Sequence, residues 1–222
     1  KTLSLSEHEE MKEYYTLWVH QIKTPISAMR LLLEQEEDER AKLLRQELFK
    51  VDQYADLALK FIKLGDISSD LVIERCDLNE IAHAAVKKYS LLFIYSKLSV
   101  QIEQLNRNIP CDRMWLEFIL CQLLSNSVKY THTGGVRIYM EQSALVVEDS
   151  GIGIRKEDLP RIFEKGYTGY NGRMDTRASG IGLYLAKRTA DALGIRLEVS
   201  SELGRGTRVL LHFPVLDEFR QM

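Results

Sequence analysis

Apolar positions near the start of the chain recur at helical spacing. Met11, Tyr15, Trp18, Ile22, Ile26, Met29 and Leu33 follow intervals of 4-3-4-4-3-4, which is one stripe of an α-helix. The run at residues 34–39 is polar and can house a turn. Leu44, Leu48, Val51, Ala55, Ala58 and Ile62 then follow at 4-3-4-3-4, a second stripe. Two helices joined by a short connection form an antiparallel hairpin. A lone hairpin encloses no core, whereas two hairpins from two chains do, as a four-helix bundle. The pattern therefore predicts a homodimer through residues 8–64. The alternative is a hairpin that folds back on the rest of the chain.

The pattern changes after residue 65. Gly65-Asp66-Ile67-Ser68-Ser69-Asp70 reads as a helix stop and linker. Asp77, with Glu80 three residues on, reads as the N-cap of another helix. Residues 98–102 alternate as a strand, and 112–130 are helical. Residues 136–140 and 144–148 look like paired strands. Residues 180–193 form a helix that stops at Gly194, and 196–199 and 208–213 close a sheet. Helices mixed with hairpin-like strands predict an α+β second part. The expected organisation is a helical-hairpin domain at 1–67, a linker at 68–75 and an α+β domain at 76–222. Glycine supports the division. Residues 1–71 hold one of the 13 glycines, so the first part is built for long helices and the second for turns.

Composition narrows the function. With 45% apolar and 28% charged residues, a disordered chain is excluded. A net charge of −2 argues against a general nucleic-acid coat, and no nucleic-acid partner is expected. Charge is uneven, however: residues 1–71 carry net −4 and the remainder net +2. No run approaches the 18 apolar residues of a membrane span. The chain begins at Lys1 without a signal-like hydrophobic run or an initiator Met, and is expected to be a fragment of something longer. Three cysteines without CxxC spacing argue against a disulfide framework or zinc knuckle and for a reducing compartment.

Three glycine clusters carry the candidate chemistry. Asp149-Ser150-Gly151-Ile152-Gly153 follows a strand, and its glycines allow close backbone approach to a flat ligand. Ala178-Ser179-Gly180-Ile181-Gly182 opens a helix, where backbone N–H groups suit phosphate. Gly204-Arg205-Gly206-Thr207 lies between two strands. Each alone reads equally as an ordinary turn; three in order are harder to dismiss. Gln122, Asn126, Lys129 and Tyr130 share one helix face, a set able to hold a metal, phosphate oxygens and a ring. A solvated face is the alternative, but Ser125-Asn126-Ser127 sets three poor helix formers in mid-helix.

These residues resemble the sensor histidine kinases, whose catalytic domain is of the Bergerat ATP-binding superfamily. Leu123-Leu124-Ser125-Asn126-Ser127-Val128-Lys129-Tyr130 resembles the N box, and Asp149-Ser150-Gly151-Ile152-Gly153 the G1 box. Arg161-Ile162-Phe163-Glu164-Lys165-Gly166 resembles the F box, and Gly180-Ile181-Gly182-Leu183 the G2 box. In the first part, Val19-His20-Gln21-Ile22-Lys23-Thr24-Pro25-Ile26 resembles the H box of the dimerisation and phosphoacceptor domain. Geometry agrees: His20 lies about 200° around the helix from both Trp18 and Ile22, away from the apolar stripe, and Pro25 frees the carbonyl of residue 21. The His-Gln-Ile-Lys-Thr-Pro run and the Lys165-Gly166-Tyr167-Thr168-Gly169 stretch are most similar to the intramembrane-sensing subgroup.

The resemblance implies an α/β sandwich, with a mixed sheet under three helices, following a dimeric hairpin. It implies ATP and Mg2+ as ligands. Asp149 would accept from the adenine amino group, and Gly151 and Gly153 would let the adenine sit close. Asn126 would hold Mg2+, with Gln122 a second contact. Lys129 would neutralise phosphate charge, and Tyr130 would flank the nucleotide. Gly180 and Gly182 would cradle phosphates under a lid at residues 165–179, whose Lys165, Arg173 or Arg177 would reach the γ-phosphate. Thr207 is counted with the nucleotide-binding residues. His20 would be the phosphorylated nucleophile, Gln21 would orient its ring, and Thr24 would serve dephosphorylation of a response regulator. The implied partners are a second copy, that regulator and a peptide-exporting ABC transporter. The implied location is the cytoplasmic portion of a membrane protein. The chain departs from the family pattern at Gln21, often an acid, at Gln122, often Asn, and at Ala178, often Gly. A Bergerat ATPase clamp and a non-catalytic scaffold remain the other readings.

Overall fold

The computed structural model describes residues 5–36, 38–64, 71–169 and 179–214, with side chains from residue 9 onward. The chain divides into two compact units, Lys1–Asp66 and Ile67–Met222.

The first unit is a hairpin of α1 (Leu5–Glu34) and α2 (Glu39–Lys63). The helix α1 runs unbroken through Pro25. The acidic run supplies the start of α2: the Asp38 carboxylate accepts from the Ala41 N–H at 2.6 Å, a cap worth about 1 kcal/mol. Arg45 reaches back from α2 and donates to the carbonyls of Leu33 and Glu36 at 2.7 and 2.8 Å. It thereby satisfies carbonyls that the end of α1 leaves open. Lys23 pairs with Asp56, and Arg30 with Asp52, across the hairpin.

The seam differs from the predicted stripes. Val19 and Ile26 on α1, with Ala41, Leu48 and Ala55 on α2, are buried, while Met11, Tyr15, Trp18, Met29, Leu44 and Val51 remain exposed. Small alanines let the helices approach, so only part of each stripe is spent within the hairpin.

The second unit opens with β1 (Glu74–Asp77), which runs directly into α3 (Leu78–Tyr95). There follow β2 (Ser99–Ile102), β3 (Asn108–Cys111) and α4 (Arg113–Tyr130). Next come β4 (Gly135–Glu141), β5 (Ala144–Asp149), α5 (Gly182–Ala192), β6 (Arg196–Glu202) and β7 (Gly206–His212). The sheet has the order β2-β4-β5-β7-β6, parallel only between β2 and β4. This is the mixed sheet of an α/β sandwich, with α4 packed between α3 and α5.

Two features depart from the sequence expectation. First, β1 and β3 form a separate antiparallel pair. Second, α5 starts at Gly182, two residues late, because Gly180 has φ +65° and cannot be helical. Asp77 does cap α3, accepting from the Asn79 N–H at 2.7 Å. Glu80, however, turns to Arg113 of α4 at 2.8 Å rather than back to the cap. Cys76, Cys111 and Cys121 are buried thiols, and burial pushes the Cys76 and Cys111 thiols up, which makes those two unreactive. Of the linker expected at 68–75, residues 68–70 lie outside the described residues, and the strand Glu74–Asp77 begins within it.

Candidate nucleotide site and phosphoacceptor helix

Asp149 ends β5 at the centre of the sheet. One carboxylate oxygen, Oδ1, accepts from the Gly151 N–H at 3.0 Å and the Thr207 N–H at 3.1 Å. The other, Oδ2, accepts from the Ser127 hydroxyl at 3.1 Å. Two strands and a helix thus fix one side chain: β5 carries it, β7 supplies Thr207, and α4 supplies Ser127. Burial pushes the Asp149 carboxyl above the usual range, against the opposing pull of the bonds from Gly151, Ser127 and Thr207. Burial wins, as expected for a charge withdrawn from water. Oδ1 accepts two hydrogen bonds and Oδ2 only one, so Oδ2 keeps acceptor capacity.

The glycines serve the chain's own packing first. A Cβ at Gly151 would lie 2.6 Å from the Tyr130 carbonyl oxygen, and one at Gly153, where φ is +72°, would lie 2.1 Å from the Glu202 carbonyl oxygen. The loop after Asp149 therefore threads between α4 and the β6–β7 turn, tied by Ile152 N–H to the Tyr130 carbonyl at 3.0 Å. Ser201 joins from β6: its hydroxyl accepts from the Ile154 N–H at 2.8 Å, donates to the Gly206 carbonyl at 2.7 Å and meets the Thr207 hydroxyl at 2.9 Å. Neither Ser127 nor Ser201 stood among the expected site residues. The only signal for Ser127 was its place in a run of poor helix formers.

The polar face of α4 lies beside this cage. Gln122, Asn126, Lys129 and Tyr130 are all half-buried, and the Lys129 ammonium sits 5.1 Å from the centre of the Tyr130 ring. A Cβ at Gly182 would lie 2.6 Å from the Gln122 amide oxygen, so the start of α5 closes on this face. Gly180 is held by the Gly166 N–H, which donates to its carbonyl at 3.0 Å. Arg161 stacks over the Tyr167 ring at 4.3 Å, and the Tyr167 hydroxyl bonds to Asp158. Lys165 is exposed in this segment. Arg173 and Arg177 lie outside the described residues.

In the hairpin, His20, Gln21 and Thr24 are exposed on α1. The Thr24 hydroxyl lies 3.5 Å from the His20 carbonyl oxygen, a long contact that a change of rotamer releases.

Known proteins resemble this chain in sequence and fold. Residues 111–217 match the family described as histidine kinase-, DNA gyrase B-, and HSP90-like ATPase. The chain is 37% identical over 216 residues to the sensor protein BceS of Halalkalibacterium halodurans, covering 95% of this chain and 65% of that one. It is 35% identical over 222 residues to the sensor protein kinase GraS of Staphylococcus aureus strain MRSA252, covering 97% and 63%. The chain thus spans just under two thirds of the length of these curated relatives. Among solved structures, full-length ShkA in complex with AMPPNP superposes with a TM-score of 0.64 at 22% identity, covering 90% of this chain and 45% of that one. The relatives match nearly the whole chain, hairpin included, and the family model matches the unit that holds Asp149: the chain belongs to the sensor histidine kinases.

Proposed function

We propose that this chain is the phosphoryl-transfer portion of a membrane-bound sensor histidine kinase of the intramembrane-sensing subgroup. In this reading it binds ATP in the second unit, phosphorylates His20 and passes the phosphoryl group to an aspartate of a response regulator. The observation that carries the reading is the Asp149 cage, a half-buried carboxylate with one oxygen accepting two hydrogen bonds and the other only one. An acceptor of this kind suits the amino group of adenine, and AMPPNP is the ligand named for the ShkA structure.

The α4 face gives phosphates a setting. Lys129 supplies a cation, and Tyr130 supplies a ring edge. Among the described residues no group of three His, Cys, Asp or Glu side chains converges. Asn126 and Gln122 instead offer neutral amide oxygens, which fits Mg2+ held mainly by phosphate oxygens and water. The ion would offset phosphate charge. Lys165, Arg173 and Arg177 are the further cations of this reading, and Gly180, Gly182 and Thr207 line the phosphate and base sides.

His20 attacks the γ-phosphorus with a neutral ring nitrogen. The N–P bond forms, the bond to the β,γ-bridging oxygen breaks, ADP leaves, and the ring proton passes to solvent. The Gln21 amide oxygen can accept from the N–H of the other ring nitrogen and fix the tautomer, but it cannot act as a base near neutral pH. Thr24, one turn on, orients a water in the reverse, regulator-dephosphorylating activity. The unit acts as a homodimer. No described helix is long and apolar enough to cross a membrane, so the sensing part and the contact with a peptide-exporting transporter are assigned to the remaining third of the relatives' length.

Incubation with γ-labelled ATP tests the reading. Acid-labile, alkali-stable label on the protein is expected. Release of phosphate without protein label would mean an ATPase clamp, and neither would mean a scaffold. Asp149→Asn should abolish nucleotide binding, whereas Asn126→Asp should retain nucleotide without productive transfer.

A further inference from the structure

Beside the Asp149 cage lies a polar group that the proposed mechanism does not use. Thr131 follows α4 and is 2% exposed. Its N–H donates to the Ser127 carbonyl at 3.0 Å, but its hydroxyl has no hydrogen-bond partner among the described residues. A buried hydroxyl without a partner is disfavoured and calls for one. Its position is informative. Thr131 lies four residues after Ser127, on the same face of the helix end. The point where a Cβ on Gly151 would sit is 3.0 Å from the Thr131 hydroxyl oxygen and 2.9 Å from Asp149 Oδ1. Thr131 and Asp149 therefore flank the same glycine.

We propose that Thr131 is a base-selecting residue of the nucleotide site, donating directly or across one water to the adenine ring nitrogen beside the amino group. The inference rests on the ATP reading above and specifies how that site reads the base. Asp149 Oδ2 can only accept, and Ser127 has already spent its hydroxyl hydrogen on it. A hydroxyl, in contrast, can donate. An acceptor next to a donor matches adenine, whose Watson–Crick edge sets an amino donor beside a ring-nitrogen acceptor. It opposes guanine, which presents a carbonyl acceptor beside an N–H donor. Against guanine, the Asp149 carboxylate would face a carbonyl oxygen, and the two oxygens would repel. Discrimination of this kind is strong because a mismatched base leaves buried polar groups unpaired.

The test is calorimetric titration of the full chain and its Thr131→Val variant with ATP and with GTP, alongside thermal unfolding without nucleotide. Valine keeps the shape and removes only the hydroxyl. ATP affinity should fall about three- to tenfold, the size of one hydrogen bond, and the preference for ATP over GTP should narrow. Unfolding without nucleotide should move to higher temperature, since an unpartnered buried hydroxyl has been replaced by a methyl group. Thr131→Ser, which restores the hydroxyl, should recover the preference. Unchanged affinity and preference in Thr131→Val would overturn the inference while leaving the ATP site standing. A wild-type chain that binds neither nucleotide would overturn both. Should Thr131→Val not fold, Thr131→Ala read against Thr131→Ser gives the same contrast, and equal preference in those two would overturn the inference.

Discussion

At the residue scale, the proposed nucleotide acceptor Asp149 links the reading to pH. Its carboxyl is held above the ordinary range by burial. The group therefore stabilises the fold fully below its unfolded pKa of about 3.9, and that contribution is lost as pH rises through the elevated folded value. Nucleotide binding has the opposite requirement, because only the ionised acid accepts on both oxygens. Nearby, Glu148 raises the pKa further, while Ser127, Gly151 and Thr207 lower it; β4 presents only Val136 opposite Asp149. Acidification should thus weaken ATP binding at a pH above that of an ordinary aspartate. Ser127→Ala, which removes one lowering bond, should shift this acid limb to higher pH in a titration with a fluorescent ATP analogue. An acid limb that does not move would show that Ser127 is not coupled to the acceptor. In the hairpin, Thr24→Ala should leave labelling of His20 intact and abolish regulator dephosphorylation. Loss of both activities would show instead that the Thr24 hydroxyl matters only through the His20 carbonyl.

At the element scale, the two N-caps of the second unit should rank by the bonds they carry. Asp77 accepts one backbone N–H, from Asn79. Asp112 is buried and accepts two, from Trp115 at 3.1 Å and from Val72 at 3.0 Å, so it also anchors the chain ahead of β1. Asp77→Ala should cost about 1 kcal/mol and Asp112→Ala about 2–3 kcal/mol in denaturant unfolding; equal costs would refute the anchoring role. Asp77 and the helix of residues 112–130 were legible because a cap residue precedes a clear apolar run. The β1–β3 pair was not. Each strand has four residues, β3 contains Pro110, and neither alternates clearly. The hairpin seam was only half legible. Spacing marked Ile26, Leu48 and Ala55, but it could not tell which apolar positions meet within one chain. Asp149 stood out through its glycines. Ser127 did not, because its bond spans 22 residues of sequence and exists only once α4 packs on the sheet.

At the scale of the whole molecule, the exposed apolar side chains of the hairpin support the proposed homodimer. Trp18 is 51% exposed, Leu44 49% and Val51 47%, apolar surface of the kind a partner helix covers. Sedimentation of the full chain should give twice 25.6 kDa. The double substitution Trp18→Glu and Val51→Glu should give a monomer that still binds ATP, since both positions lie in the first unit. A monomeric wild-type chain would contradict the bundle.

The central claim is that ATP bound in the second unit phosphorylates His20. It is tested most directly by incubating the wild-type chain and the His20→Gln variant with γ-labelled ATP and Mg2+, then measuring protein-bound label after alkali and after acid. The account predicts alkali-stable, acid-labile label on the wild-type chain and none on His20→Gln, with ATP affinity equal in the two. Label that persists in His20→Gln, or a wild-type chain that binds ATP and never acquires label, would contradict it.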